Sequence, residues 1–320
     1  MSIEVISPGL GCSVQDRGRP GYYDVGIPPS GALDLQSALA ANLLVGNGPD
    51  APVIEAAYLG PQLRFTEPAV IAVTGAAMEA RLNGDVVPQW ESLAVATGDE
   101  LTFGYLQQGA RIYLAVGGGI DVPAVLGSRS TYAVGGFGGF QGRALQAGDV
   151  LAHGAGGTPG RVVPDHLRPA LSREVDVRVA LGLYDYRLTA AGLDRFLDST
   201  WAVSPVADRM GLRYTGPELE WVDREQPFGA GSDPSNIVDA GYPIGSIQVP
   251  GGVEPIVLHR DAVSGGGYAM VATVISADLD LVAQCAPGTQ TRFVPVSLDA
   301  AVEAREAARQ VQQQLRSALQ

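Results

Sequence analysis

A chain of 320 residues is longer than one typical domain and suits two. Its formal net charge of −13 repels phosphate backbones and anionic lipid surfaces, which excludes nucleic acid and membrane as partners. All 21 basic residues are arginine, so this chain holds no Walker A lysine, no Schiff-base amine, no biotinylated lysine and no Ser–Ser–Lys amidase.

The 42 glycines and 22 prolines punctuate short apolar segments, the pattern of many strands joined by tight turns. "MSIEVISPGLG" has neither a basic leader nor a long apolar run, and two cysteines, Cys12 and Cys285, make no disulfide framework or metal knuckle. A cytoplasmic protein is expected. Residues 15–34, "QDRGRPGYYDVGIPPSGALD", read as a long loop ending in Asp34, the N-cap of a helix with Leu35, Ala38, Leu39 and Leu43 on one stripe and Gly46 closing it. Strands follow at 70–75, 92–98, 100–105 and 110–118. Proline-rich residues 157–174 predict a boundary between domains 1–165 and 166–320.

Beyond the boundary "EVDVRVAL" (174–181) alternates, with Val175, Val177 and Val179 on one face. Thr189 caps a second helix carrying Leu193, Phe196 and Leu197, and strands recur at 246–250, 255–259 and 270–276. The last segment, with Ala304, Ala308, Val311, Leu315 and Leu319 about one turn apart, predicts a C-terminal helix docked on its own domain.

The glycine-rich segments 115–121 and 134–142 lack the following helix that a phosphate loop needs, and read as tight turns and close strand approach. His153, His166 and His259 have no metal-ligand spacing, so no metal site is expected, and no GxSxG elbow occurs. What remains are arginine-centred loops: Arg19 with Ser30 and Asp34, Arg129 in "GSRSTY", and Ser204, Asp208 and Arg209 in "VSPVADRMGLR". A guanidinium is a planar fork for a carboxylate, carbonyl or phosphate. Each loop taken alone also reads as structure, with Asp208–Arg209 an ion pair at a strand entry.

"SPGLGCSVQDRGRPGY", "GIPPSGALD", "ANLLVGN", "GGIDVPAVLGSRSTY", "GGFGGFQGRALQAGD", "VSPVADRMGLR", "GSIQVP" and "ATVISADL" occur in the order and spacing of one family. The chain resembles the allophanate hydrolase subunit 2, or biotin-dependent carboxyltransferase-like, family. Its members include one of the subunits of 5-oxoprolinase, the C-terminal half of the carboxyltransferase region of urea carboxylase, and an antagonist of a histidine-kinase inhibitor. The resemblance implies a mainly β fold: two tandem cyclophilin-like β-barrel domains with a few short helices and a C-terminal helix. It also implies a subunit 1 partner, with the site where the two meet. The family often shows "GGYPK" where this chain has "GGYAM", so Met270 stands in place of a lysine.

The function expected from the resemblance is that of a subunit of an ATP-dependent 5-oxoprolinase, opening 5-oxoproline to glutamate. ATP would be used by the complex without a P-loop here, beside a lactamase-like third subunit. The alternatives are carboxyl transfer to urea or another amide from a biotin carrier, with no biotin attached to this chain, and a non-catalytic regulator that binds a kinase inhibitor. Arg19, Asp34, Asp208 and Arg209 are the candidate catalytic residues, and Ser30, Arg129, Ser204, Gln248 and Tyr268 the candidate substrate contacts.

Overall fold

The computed structural model describes residues 1–225 and 227–319. The chain forms two units, one of Met1–Arg19, Ser30–Leu171 and Arg309–Gln320, the other of Pro20–Pro29 and Ser172–Ala308. Both are built mainly from strands.

In the first unit the strands are β1 (Ser2–Ser7), β2 (Ser13–Gln15), β3 (Val53–Ala57), β4 (Gln62–Phe65), β5 (Ala69–Leu82), β6 (Asp85–Val87), β7 (Ser92–Val95), β8 (Glu100–Val116) and β9 (Val150–Ala152). They make one curled sheet in the order β2-β3-β8-β4-β1-β9, with β5 paired to β6, β7 and β8. The expected strands 100–105 and 110–118 are one continuous strand. β8 pairs with β5 from Ile71↔Val116 to Leu82↔Leu101, with β3 at one end and with β4 at the other. Register shifts beside Ala77 absorb the irregular stretch that makes the sequence look broken. Gly75 sits at φ +91°, and a Cβ there would lie 2.3 Å from the Arg111 carbonyl oxygen, so the two strands approach this closely only over glycine.

Helix α1 (Leu35–Leu44) starts where predicted: the Asp34 carboxylate accepts from the Ser37 amide at 2.9 Å. It is buried over most of its circumference rather than on one stripe, because Ser37, Ala40, Ala41 and Asn42 are enclosed along with Ala38 and Leu39. Small side chains let the sheet and neighbouring segments close on every side. Val311, Leu315 and Leu319 from the end of the chain pack with α1, Tyr113 and Leu167 in this cluster.

The second unit holds β10 (Glu174–Leu181), α2 (Ala190–Asp198), β11 (Trp201–Ala207), β12 (Gly211–Thr215), β13 (Asn236–Gly241), β14 (Ser246–Gln248), β15 (Ile256–Leu258), β16 (Gly265–Tyr268), β17 (Met270–Val274), α3 (Leu279–Ala283), β18 (Gln290–Pro295) and the start of α4 (Leu298–Ala318), which belongs to the first unit from Arg309 on. Seven of these strands close a barrel in the order β10-β17-β14-β15-β12-β11-β18, and β13 pairs with β16 as a separate ribbon. Closure comes from the parallel pairing of β10 with β18, Glu174↔Gln290 through Val179↔Pro295. Val175, Val177 and Val179 point inward and Asp176 outward to Arg292, 2.8 Å away, as the alternation predicts. Inside, Phe293 stacks on Phe196 at 5.0 Å and meets the edge of Tyr214 at 5.4 Å, while the indole of Trp201 donates to the Phe196 carbonyl.

Removing the ring at the centre of that stack leaves a cavity, so Phe293→Ala should cost about 3–5 kcal/mol in urea unfolding. Acid stability offers a second check. Arg143 grips Asp149 through both nitrogens at 2.7 and 2.8 Å, and hydrogen bonding to that guanidinium holds the Asp149 carboxyl below its ordinary value. A depressed carboxylate stabilises the fold above the unfolded value, about pH 3.9, and the benefit fades as pH falls through the folded value. Asp149→Asn should therefore lower stability at pH 7, and its deficit against the wild type should shrink below about pH 4.

Candidate functional site

In the first unit the organising group is Asp16, just past β2. Its carboxylate accepts from the amides of Gly18 (2.7 Å) and Arg129 (2.5 Å) and from the hydroxyls of Ser128 (2.7 Å) and Ser130. This ties the opening loop to residues 128–130. Arg19 is drawn inside: its Nη2 donates to the Ser130 carbonyl and its guanidinium lies 5.0 Å from the centroid of Phe137. The glycine-rich segment 134–142 makes room for this, since a Cβ on Gly138 would lie 2.1 Å from the Ser130 oxygen. That segment is a set of turns, as expected.

Ser30 is fully buried at φ +51°. Asp34 is buried too, with its carboxylate spent on the amide and hydroxyl of Ser37 (2.9 and 2.6 Å) and its own N–H donating to the Tyr113 hydroxyl at 2.8 Å. Burial, with the carboxylates Glu55 and Asp34 nearby, pushes the Tyr113 phenol well above its usual range. Of these four candidates Arg129 opens on a cleft of about 490 Å³, which it lines with Asp50, Asp121 and His153. His153 donates from Nδ1 to the Gly154 carbonyl, and burial holds its pKa below the ordinary value, so the ring is neutral at pH 7.

The second unit gathers more. The segment predicted as a loop is a hairpin: Ser204 lies on β11, and Asp208 and Arg209 form its turn into β12. Asp208 does not pair with Arg209. Its Oδ1 accepts from the turn amides of Met210 (2.7 Å) and Gly211 (3.2 Å), as short aspartates do in tight turns. Arg209 instead pairs with buried Asp261 at 2.8 Å.

Asp208 and Gln248 line one small pocket of about 200 Å³ with Arg213 on β12 and the apolar walls Val206, Met210, Ile256 and Leu258. Arg213 donates to Glu254 at 2.8 Å. The Gln248 carboxamide, half-buried, has no protein partner among the described residues. At about 30 Å³ per water the pocket holds roughly six waters, room for a small substrate and not a large one.

Ser204 and Tyr268 stand apart from this lining. The Ser204 hydroxyl accepts from the Val206 amide at 3.1 Å. The backbone of Tyr268 makes two 2.7 Å bonds with the Tyr242 hydroxyl, which accepts from its N–H and donates to its carbonyl. The Tyr23 hydroxyl in turn donates to the Tyr242 carbonyl at 2.7 Å. Met270 is buried among Tyr242, Leu258 and Ala262.

Asp16, Asp261, Arg213 and Tyr242 were not foreseen. Asp16 lies in the quoted opening stretch, but its partners are more than a hundred positions away. Asp261 pairs across 52 positions. Neither has a local signature. Among the described residues no three His, Cys, Asp or Glu side chains gather as a metal ion requires.

Residues 25–295 match the family described as carboxyltransferase domain, subdomain A and B. The chain belongs to this carboxyltransferase family. It is 37% identical to a urea amidolyase of Lachancea kluyveri over 95% of this chain, but spans only 17% of that protein's length. It is 36% identical to a 5-oxoprolinase subunit of Escherichia coli (strain K12), covering 95% of this chain and 94% of that one. Among solved structures it superposes on the K. lactis urea amidolyase with a TM-score of 0.92 at 36% identity, over 98% of this chain and 20% of that chain.

In this member of the family Met270 occupies a closed apolar site. Met270→Lys would bury an ammonium, whose desolvation costs several kcal/mol or drives it neutral. The variant should melt well below the wild type, and more so at pH 6 than at pH 10. An unchanged melting temperature would show that position 270 opens to solvent.

Proposed function

We propose that the chain is a subunit of an ATP-dependent 5-oxoprolinase, in which its second unit reads the amide edge of the lactam ring. The observation that carries this is Gln248, a carboxamide without a protein partner among the described residues, on a pocket of about 200 Å³. A lactam is held cis, so its N–H and C=O point the same way. A carboxamide carries the matching acceptor and donor and pairs with both at once. The turn carboxylate of Asp208 is placed to accept or return the ring nitrogen's proton. Arg213 is the pocket's cation for charge that develops on oxygen. We assign Arg19 and Arg209 to holding structure, because one is drawn onto the Ser130 carbonyl and the other onto Asp261.

An amide is a poor electrophile. ATP supplies the missing driving force by phosphorylating the carbonyl oxygen with release of ADP, after which water adds to the carbon, the ring nitrogen takes up a proton as the C–N bond breaks, and glutamate and phosphate leave. With no lysine in the chain, ATP would be used by the complex and not through a P-loop here, in a heteromer with a subunit 1 chain and a lactamase-like third chain. The extent of the likeness to the Escherichia coli 5-oxoprolinase subunit supports this reading.

The second reading is carboxyl transfer from carboxybiotin to urea or a related amide. The likeness to urea amidolyase favours it, and a ureido edge offers the same N–H and C=O pair to Gln248. Biotin would arrive on a carrier chain.

Co-expressed with its subunit 1 and lactamase-like partners, the chain should be required for 5-oxoproline-dependent ATP hydrolysis with glutamate as product. Gln248→Ala should lower kcat/KM about 10- to 100-fold while leaving the melting temperature near the wild type's. Activity without this chain would refute the proposal, and avidin-sensitive, urea-dependent transfer would establish the second reading.

A further inference from the structure

A guanidinium held at one edge and open at the other is a preset fork for a carboxylate. Arg129 has this form. Its main-chain N–H is fixed on Asp16, and its Nε donates to the Val122 carbonyl at 3.0 Å. Among the described residues its terminal nitrogens, Nη1 and Nη2, have no protein partner. Arg64, Arg143, Arg178 and Arg292 instead spend theirs on a carboxylate. The exposed side chain of Arg129 lines the cleft of about 490 Å³ in the first unit.

The same cleft holds an open anion. Asp121 lines it and is exposed, and among the described residues its carboxylate has no hydrogen bond or ion pair. Its backbone N–H donates to the Ala152 carbonyl at 2.8 Å, which fixes where that side chain starts. The other titratable walls carry no unpaired charge. Asp50 has Arg17 at 3.5 Å, and burial keeps His153 neutral at pH 7. One unpaired cation and one unpaired anion therefore share the cleft, and they do not pair with each other. Gly48, Gly118 and Gly154 contribute bare backbone to the walls. A Cβ on Gly118 would lie 2.4 Å from the Gly154 carbonyl carbon, so no side chain can grow there. At about 30 Å³ per water the cleft holds roughly sixteen waters, room for a small metabolite.

We propose that this cleft binds a free α-amino acid, with Arg129 taking its carboxylate and Asp121 its ammonium group. A zwitterion brings in one molecule the two charges that the cleft leaves open. A simple anion would meet Asp121 as well as Arg129, and a simple cation would meet Arg129 as well as Asp121. The site shares no residue with the lactam pocket and does not rest on that reading.

The test is thermal unfolding of the purified chain at pH 7 and constant ionic strength. Glycine, L-alanine, L-glutamate and L-arginine are added one at a time. Sodium propionate and ethylammonium chloride serve as the two halves of L-alanine. At least one amino acid should raise Tm with the logarithm of its concentration, and its side chain then names the subclass. Either half alone should produce the same shift only at about tenfold higher concentration or above. Arg129→Met and Asp121→Asn, both at exposed positions, should keep the wild-type Tm without ligand and lose the response. Arg129→Lys keeps the charge without the fork and should weaken binding about tenfold. No rise with any of the four amino acids overturns the proposal. So does a rise matched by either half at equal concentration, or an undiminished rise in either variant, the mark of general osmolyte exclusion. Should Arg129→Met fail to fold, the imidazole nitrogens of His153 in the ¹⁵N-labelled wild type decide: they must shift on adding the amino acids, and fixed positions refute the site. Because this assay uses the chain alone and no ATP, its failure is separate from failure of the lactam reaction.

Discussion

The second unit depends on one pairing between strands far apart in sequence. β10 and β18 run parallel, and their ladder turns an open sheet of seven strands into a closed barrel. With the ring closed, every strand has two neighbours, and the hairpin between β11 and β12 leaves from a fixed rim. The pocket needs that fixity. Asp208 comes from the hairpin turn, Arg213 from β12, Gln248 from β14, and Ile256 and Leu258 from β15. These residues are neighbours only because β12 and β14 both pair with β15. Pre-set position of this kind would let a carboxamide and a carboxylate address one small molecule, as proposed for this pocket, without an ordering cost at each binding event.

In the first unit the same role falls to polar groups held inside. Asp16 and Asp34 each gather several donors, one tying the opening loop to residues 128–130 and the other starting α1. A buried carboxylate such as Asp34, or a half-buried one such as Asp16, is tolerated when its oxygens are satisfied in this way. Such side chains are anchors of loop shape, and the shape they fix leaves Arg129 exposed at the rim of the larger cleft.

Sequence periodicity disclosed what is local. The alternation of 174–181, the Asp34 and Thr189 caps and the position of the C-terminal helix appear where the residues predict them. That helix does not dock on its own domain as expected, because Val311, Leu315 and Leu319 pack in the first unit. β8 was misread as two strands because its middle, "LQQG", is polar and carries a glycine, while a sheet partner sustains the strand through bulges. α1 was misread as one-sided because alanine says little about which face is covered. For the site, the loop motif located Asp208 and Arg209, yet it could not show that Arg209 belongs to Asp261 or that Gln248 shares the pocket with Asp208. Those facts arise from strand order, and strand order is a long-range property that no window of sequence contains.

The curled sheet of the first unit is not closed, and its main path ends in β2 and β9. Each of these strands is three residues long. An unpaired sheet border is a template on which another extended chain can grow, and its hold rises with the number of consecutive N–H and C=O groups on offer. Here the offer at either border stops after three residues, with a bend or turn beyond. In this sheet the long strands β5 and β8 lie in the interior and both ends of the path are stubs, so those two ends give another extended chain little to pair with.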